Sequence, residues 1–241
     1  MKRIWRLPLS PKTVRFLAAR SHRVATAAVP RQEARSLWTL QNNKAFSEIR
    51  KTLRKMASGL TRCMYCEDSE GTAIEHFWPK SVYPERAFDW PNHLIACTRC
   101  NSNFKRDQFP LDGAGSPLLV NPSEEEPLDH LSFSPSTGRF EPKSSKGVPS
   151  ISVFGLNRTT LTKGRADAWT VLEQLLIRYA EFKTVGEAAK AEKIESAVRN
   201  HPFAGVLAAL LRMAAGPDAN LLIDGDCLQV LQSRPEIGTW T

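Results

Sequence analysis

Apolar residues recur at helical spacing early in the chain, where Phe46, Ile49, Leu53 and Met56 stand three or four positions apart. The pattern predicts a helix over about Asn43–Met56 with one apolar stripe. Lys44, Arg50, Lys51, Arg54 and Lys55 fill the rest of its surface, and Gly59 offers a stop. A second stripe runs through Leu161, Ala168, Trp169, Leu172, Leu175, Leu176 and Tyr179, with Thr159 or Thr160 as cap candidates. Further helices are expected from about Val185 to Arg199 and from Pro202 to Ala215, where Gly216-Pro217 ends the run. Between these helical parts, Leu131–Phe133 and Arg139–Glu141 flank Ser134-Pro-Ser-Thr-Gly138 and predict a hairpin. Ile151 and Val153 before Gly155 suggest one more short strand. Prolines at Pro8, Pro11 and Pro30 are expected to interrupt any long helix at the start of the chain.

Charge divides the chain further. Of 33 Lys/Arg and 25 Asp/Glu, residues 1–62 hold 15 and 2, a net of +13; residues 63–241 carry a net of −5. The basic excess therefore lies ahead of the first cysteine, as on a surface that meets a polyanion or on one that is only solvated. Three regions follow: a basic extension over 1–62, a cysteine- and histidine-bearing segment over 63–112, and a loop, hairpin and helical module over 113–241. The class is α+β. No stretch is apolar for the ~18 residues a membrane span needs, so no membrane partner is expected. The Arg-rich start has no secretory apolar core and reads as part of the mature protein, and the compartment as cytoplasmic.

Two knuckles of identical spacing, Cys63-Met-Tyr-Cys66 and Cys97-Thr-Arg-Cys100, point to a closed four-thiolate structural Zn²⁺ site. Such a site has no open position for water, so it holds the fold and does no chemistry. The leftover Cys227 reads as a buried small hydrophobe. Between and after the knuckles stand Glu75-His76, Asn92, Asn101 and Lys105. A neutral imidazole with a pKa near ~6.5 takes a proton from water at physiological pH. Glu75 and Asn101 are oxygen ligands suited to Mg²⁺ or Mn²⁺.

These segments, with Ile74-Glu-His-Phe-Trp-Pro-Lys-Ser81, Trp90-Pro-Asn-His-Leu94 and Cys97-Thr-Arg-Cys-Asn101 through Lys105, resemble zinc-stapled HNH endonucleases. The resemblance implies a ββα-metal core with a basic helical extension before it and a mainly helical region after it. It implies His76 as general base, Glu75 and Asn101 as ligands of a catalytic divalent cation, and Asn92 as the brace of the hairpin loop. Glu75 stands where Asp or His is usual, and Asn101 is a common variant of the last histidine. Lys80, Arg99, Lys105 and Arg106 are candidates for phosphate contact, Lys105 first because the family places a lysine in that helix. Arg50, Lys51 and Arg54 would hold the backbone from the basic helix. His93, beside Asn92, receives no role.

Across about residues 40–180, Tyr65-Cys-Glu67, Phe109-Pro110, Leu119-Val-Asn-Pro122 and Gly155-Leu-Asn-Arg158 narrow the resemblance to the HNH subunit of Septu and retron-associated anti-phage systems. That implies an ABC-type ATPase partner and, in retron versions, a reverse transcriptase with its RNA–DNA hybrid. The nucleic-acid substrate could be DNA or RNA, including tRNA, because activated water needs no 2′-OH. A non-catalytic zinc module that binds nucleic acid or docks a partner stays open as a third reading.

Overall fold

Pro11 and Pro30 start helices here; each occupies the first helical position, where a missing N–H costs nothing. The structure, a computed structural model, describes residues 1–241. The basic extension holds three helices rather than the single one expected: α1 (Pro11–Thr26), α2 (Pro30–Thr39) and α3 (Lys44–Met56). Ser10 caps α1, and its backbone N–H and hydroxyl both donate to Glu48 on α3, at 2.7 and 2.8 Å. Thr13 adds a third bond to that carboxylate at 2.5 Å, and these bonds hold Glu48 below the usual carboxylate range. One of the two acids in the extension is therefore spent on joining α1 to α3. Arg20 donates to the carbonyls of Leu37 and Leu40 and so closes the end of α2.

The expected helix α3 forms with Asn43 as its cap, the side chain accepting from the Phe46 N–H. Phe46, Ile49 and Leu53 are fully buried, each contributing roughly 1.5–3 kcal/mol. They pack α3 on α1 and on the second strand of the central hairpin. That hairpin pairs β1 (Ala73–His76) with β2 (His93–Ala96), antiparallel, with Ile74 opposite Ile95 and His76 opposite His93. The chain then enters a wide helical turn over Arg99–Lys105, where the Arg106 N–H reaches back to the Asn101 carbonyl.

Beyond the short helix α4 (Pro127–His130), the second hairpin forms much as predicted. Strand β3 (Leu131–Phe133) pairs with β4 (Phe140–Pro142), and Phe133 lies opposite Phe140. The strand expected at Ile151–Val153 is instead helix α5 (Gly147–Val153). A short apolar run does not distinguish the two states by periodicity. Here no partner strand is available, and Pro149 falls within the first turn of the helix, where it is tolerated. Helix α6 (Thr159–Thr184) is longer than its stripe suggested, and neither Thr159 nor Thr160 caps it: Arg158 holds the cap position without a side-chain bond. Helices α7 (Ala188–Asn200) and α8 (Ala204–Ala214) match the expected pair, and α9 (Ala219–Leu222) and α10 (Gly225–Ser233) complete the module. One hydrophobic cluster of 52 residues runs from Met1 to Trp240, so the three sequence regions share a core. No helix is long and apolar enough to cross a membrane.

Candidate metal centre and polar cleft

The four knuckle cysteines are all buried, and their sulfurs lie within 4.8 Å of one another. Cys66 and Cys97 sulfurs are 3.9 Å apart, close to the ~3.8 Å separation that follows from tetrahedral bonds of ~2.3 Å to zinc. The Cys100 N–H donates to Cys97 Sγ, 3.5 Å away. Bonds from Cys100, Cys63 and Cys66 hold the Cys97 thiol below its ordinary range. Four sulfurs this close ionise together only around a cation, and the group can hold a structural metal such as zinc.

Arg158 extends this centre, its guanidinium nitrogens lying 3.7 and 3.8 Å from Cys100 Sγ and adding positive charge beside the thiolates. The loop before it is shaped for that approach. At Gly155, whose φ is +59°, an added Cβ would sit 2.4 Å from the Phe104 ring. Asn157 accepts from the Phe140 N–H and donates to its carbonyl, tying the loop to β4. Each polar or glycine position of Gly155-Leu-Asn-Arg158 thus has a physical task. The sequence marked the segment only by resemblance.

The knuckles flank the hairpin that carries the polar residues. Glu75, His76, Lys80 and Asn101 come together with Ser81 and Arg106 around one small cleft of about 310 Å³ including its open mouth. His76 Nε2 donates to the Ala87 carbonyl at 3.0 Å, which fixes the tautomer and leaves Nδ1 as the acceptor. Trp38 of α2 packs edgewise on the imidazole, ring centres 4.2 Å apart. Burial lowers the pKa of His76 well below its ordinary value, so the ring is neutral at pH 7.

Asn92 spans the loop between the strands. Its Oδ1 accepts from the Trp78 N–H at 2.6 Å, and its Nδ2 donates to the carbonyls of Trp78 and Arg86. This fixes the segment that presents Ala87 to His76. His93, given no role from sequence, sits opposite His76, and its Nε2 donates to the same Ala87 carbonyl at 2.9 Å. Arg6 binds the carbonyls of Trp90, Pro91 and His93, strapping the start of the chain across this loop. Neither Arg6 nor Trp38 carries a sequence signal that would have placed it at the site.

Lys105 differs from expectation. The residue predicted to reach phosphate is fully buried, with Nζ 2.7 Å from Glu75 Oε1 and 2.8 Å from the His76 carbonyl. Tyr65 also donates to Glu75 Oε1, at 3.5 Å. Burial raises the Glu75 carboxyl pKa and Lys105 pulls it back down. The physical reason for the inward turn is the buried carboxylate, which an unpaired site would make expensive to ionise. Arg99 is exposed outside the cleft, as are Lys51 and Arg54 on α3, while Arg50 is engaged by Gln41.

These elements define a class: an α+β protein in which a four-cysteine centre staples a hairpin bearing a histidine-lined polar cleft. Over about half its length the chain is PtuB-like, being similar to two proteins named Septu protein PtuB. That of Bacillus mycoides (strain KBAB4) is 36% identical over 149 residues, covering 49% of this chain and 50% of that protein. That of Bacillus thuringiensis is 31% identical over 102 residues, covering 40% and 37%. The chain spans about half the length, or less, of these curated relatives. No family model matches it.

Proposed function

We propose that the chain is a metal-dependent HNH-type endonuclease, the effector nuclease of a Septu-like anti-phage system. The observation that carries this reading is the His76 imidazole, held neutral with Nε2 bound to Ala87 and Nδ1 left as acceptor, in a cleft with Glu75, Asn101, Lys80 and Arg106. His76 Nδ1 takes a proton from water. The water oxygen attacks phosphorus, the bond to the 3′ oxygen breaks, and that oxygen leaves with a proton from solvent. Lys80 and Arg106 offer positive charge to the phosphoryl oxygens. Asn92 keeps the loop, and through Ala87 the base, in place.

The donor set fits a hard cation: Glu75 and Asn101 both line the cleft, and the contacts to Glu75 from Lys105 and Tyr65 fall on Oε1, leaving Oε2. Mg²⁺ or Mn²⁺ bound there would neutralise charge on the phosphate and the departing oxygen. The similarity to the PtuB proteins supports the defence assignment; the ABC-type ATPase partner is what the sequence resemblance to the Septu HNH subunit implies. Incubating the purified chain with plasmid DNA and with tRNA, in Mg²⁺ or Mn²⁺, with and without that ATPase, tests the reading. Cleavage that disappears in His76→Ala supports it; no cleavage under any combination, or full cleavage by the variant, removes it.

A further inference from the structure

Three residues of α2, Arg31, Arg35 and Trp38, stand four and three positions apart and so share one helix face. Trp38 packs on His76, and Lys80 Nζ lies 5.6 Å from the centre of its ring. Arg31 and Arg35 line a groove whose other walls are Lys80 and Ser81. Lys80 and Ser81 also line the His76 cleft, so groove and cleft adjoin at these two residues. The groove has three cations and no carboxylate, and none of the three is in an ion pair. Charges of one sign gathered along a walled groove focus the field on an anion. A nucleic-acid strand carries a charge about every 3.4 Å along its axis and so offers several phosphates to a row of cations. Side chains one helical turn apart, about 6 Å between Cβ atoms, can reach charges about two such steps apart on one strand.

We propose that the α2 groove, built by Arg31, Arg35 and Lys80, binds the phosphodiester backbone next to the segment that enters the His76 cleft. The occupant is the phosphate chain of a nucleic acid, bound without base readout, and the site belongs to α2 rather than to the basic helix α3. This rests on reading the cleft as a phosphodiester site, but the groove is tested by binding alone. Arg31 and Arg35 are exposed on α2 and contact none of its buried residues through ion pairs, so their neutralisation leaves the fold intact.

The test uses the full chain carrying His76→Ala to prevent cleavage, with fluorescent DNA and RNA duplexes of one sequence titrated across a salt series. Arg31→Gln with Arg35→Gln should weaken binding at low salt by about tenfold or more. It should also flatten the dependence of log K on log salt by about 2, since each lost phosphate contact removes ~0.9. Lys163→Gln with Lys183→Gln removes the same charge from α6 and should leave the slope nearly unchanged. Comparison of DNA with RNA says which backbone the groove prefers. Equal affinity and slope in parent and arginine variant would overturn the groove, as would an equal loss in the α6 variant or no binding by the parent. Arginine-dependent binding, together with no cleavage by the chain that keeps His76, would leave the groove standing and remove the nuclease reading. Cleavage by the chain that keeps His76, with arginine-independent binding, would do the reverse.

Discussion

His76 and His93 face each other across the β1–β2 hairpin and donate to one carbonyl, that of Ala87. Their ring centres are 5.2 Å apart, so two cationic imidazoles cannot share the site. His93 is fully buried, its Nδ1 has no hydrogen-bond partner, and burial pushes its pKa down to about 4. A histidine whose folded pKa is depressed binds fewer protons folded than unfolded. Its contribution is therefore intact above the unfolded pKa of ~6.5 and is lost as pH falls through the window down to about 4. Urea unfolding between pH 7 and 5 should show stability falling with acid. His93→Leu should reduce that slope by up to about 1.4 kcal/mol per pH unit, the ceiling for one proton, reached only toward pH 5. An unchanged slope in the variant would mean that His93 titrates freely in the folded protein.

The cysteine centre predicts a stoichiometry. Purified protein should carry one zinc per chain, and Cys63→Ser, Cys66→Ser, Cys97→Ser or Cys100→Ser should each lower zinc content and destabilise the hairpin. Arg158→Gln should keep the zinc but release it faster to a chelator, because the charge beside Cys100 is gone. Elemental analysis and chelator kinetics read both effects. A well-folded sample without metal would count against the site.

His76→Ala should reduce cleavage by ~10²–10⁴-fold while zinc content and thermal unfolding stay near those of the parent. Asn92→Ala should act differently. It frees two carbonyls and the Trp78 N–H, loosens the loop that carries Ala87, and lowers both rate and stability without altering divalent-cation dependence. Asn101→Ala should shift that dependence to higher cation concentration. Initial rates across a Mn²⁺ titration separate the three.

The buried Glu75–Lys105 pair gives a prediction that does not need activity. Lys105→Met leaves the buried Glu75 carboxylate without its paired cation, at a cost of roughly 3–5 kcal/mol. Adding Glu75→Gln should recover part of that loss, the coupling that a double-mutant cycle measures. If Glu75 also holds a divalent cation, Mg²⁺ or Mn²⁺ should raise the melting temperature of Lys105→Met more than that of the parent. Calorimetry with and without the cation decides it; a variant as stable as the parent would show that the pair is not structural.

Much of the site was legible because its signals are local. The apolar stripe and Asn43 located α3, identical knuckle spacings located the sulfur cluster, and the order of Glu75, His76 and Asn101 located the cleft. What escaped was set by tertiary partners. The pairing of His76 with His93 is a register fact, invisible until β1 and β2 are aligned. The inward turn of Lys105 depends on a carboxylate 30 positions earlier. Pro11 and Pro30 were read as interruptions of a helix when they are the first residues of two, a difference that the flanking positions alone did not settle.

The basic helix α3 supplies the last prediction. Its apolar stripe is buried against α1 and β2, which turns Lys51 and Arg54 to solvent; Arg50 instead donates to the side-chain and backbone oxygens of Gln41 and holds the α2–α3 connection. Reversing all three charges therefore mixes two effects, loss of surface potential and loss of a loop contact. Lys51→Glu with Arg54→Glu isolates the first. It should weaken nucleic-acid binding and flatten its salt dependence, but by less than the α2 variant, because neither residue lines the groove or the cleft. Adding Arg50→Glu should lower the melting temperature without a matching further change in salt slope. Should the Lys51 and Arg54 variant instead lose an ATPase partner in a pull-down while its salt slope matches the parent's, α3 is a docking face, and the nucleic acid is held by α2 and the cleft alone.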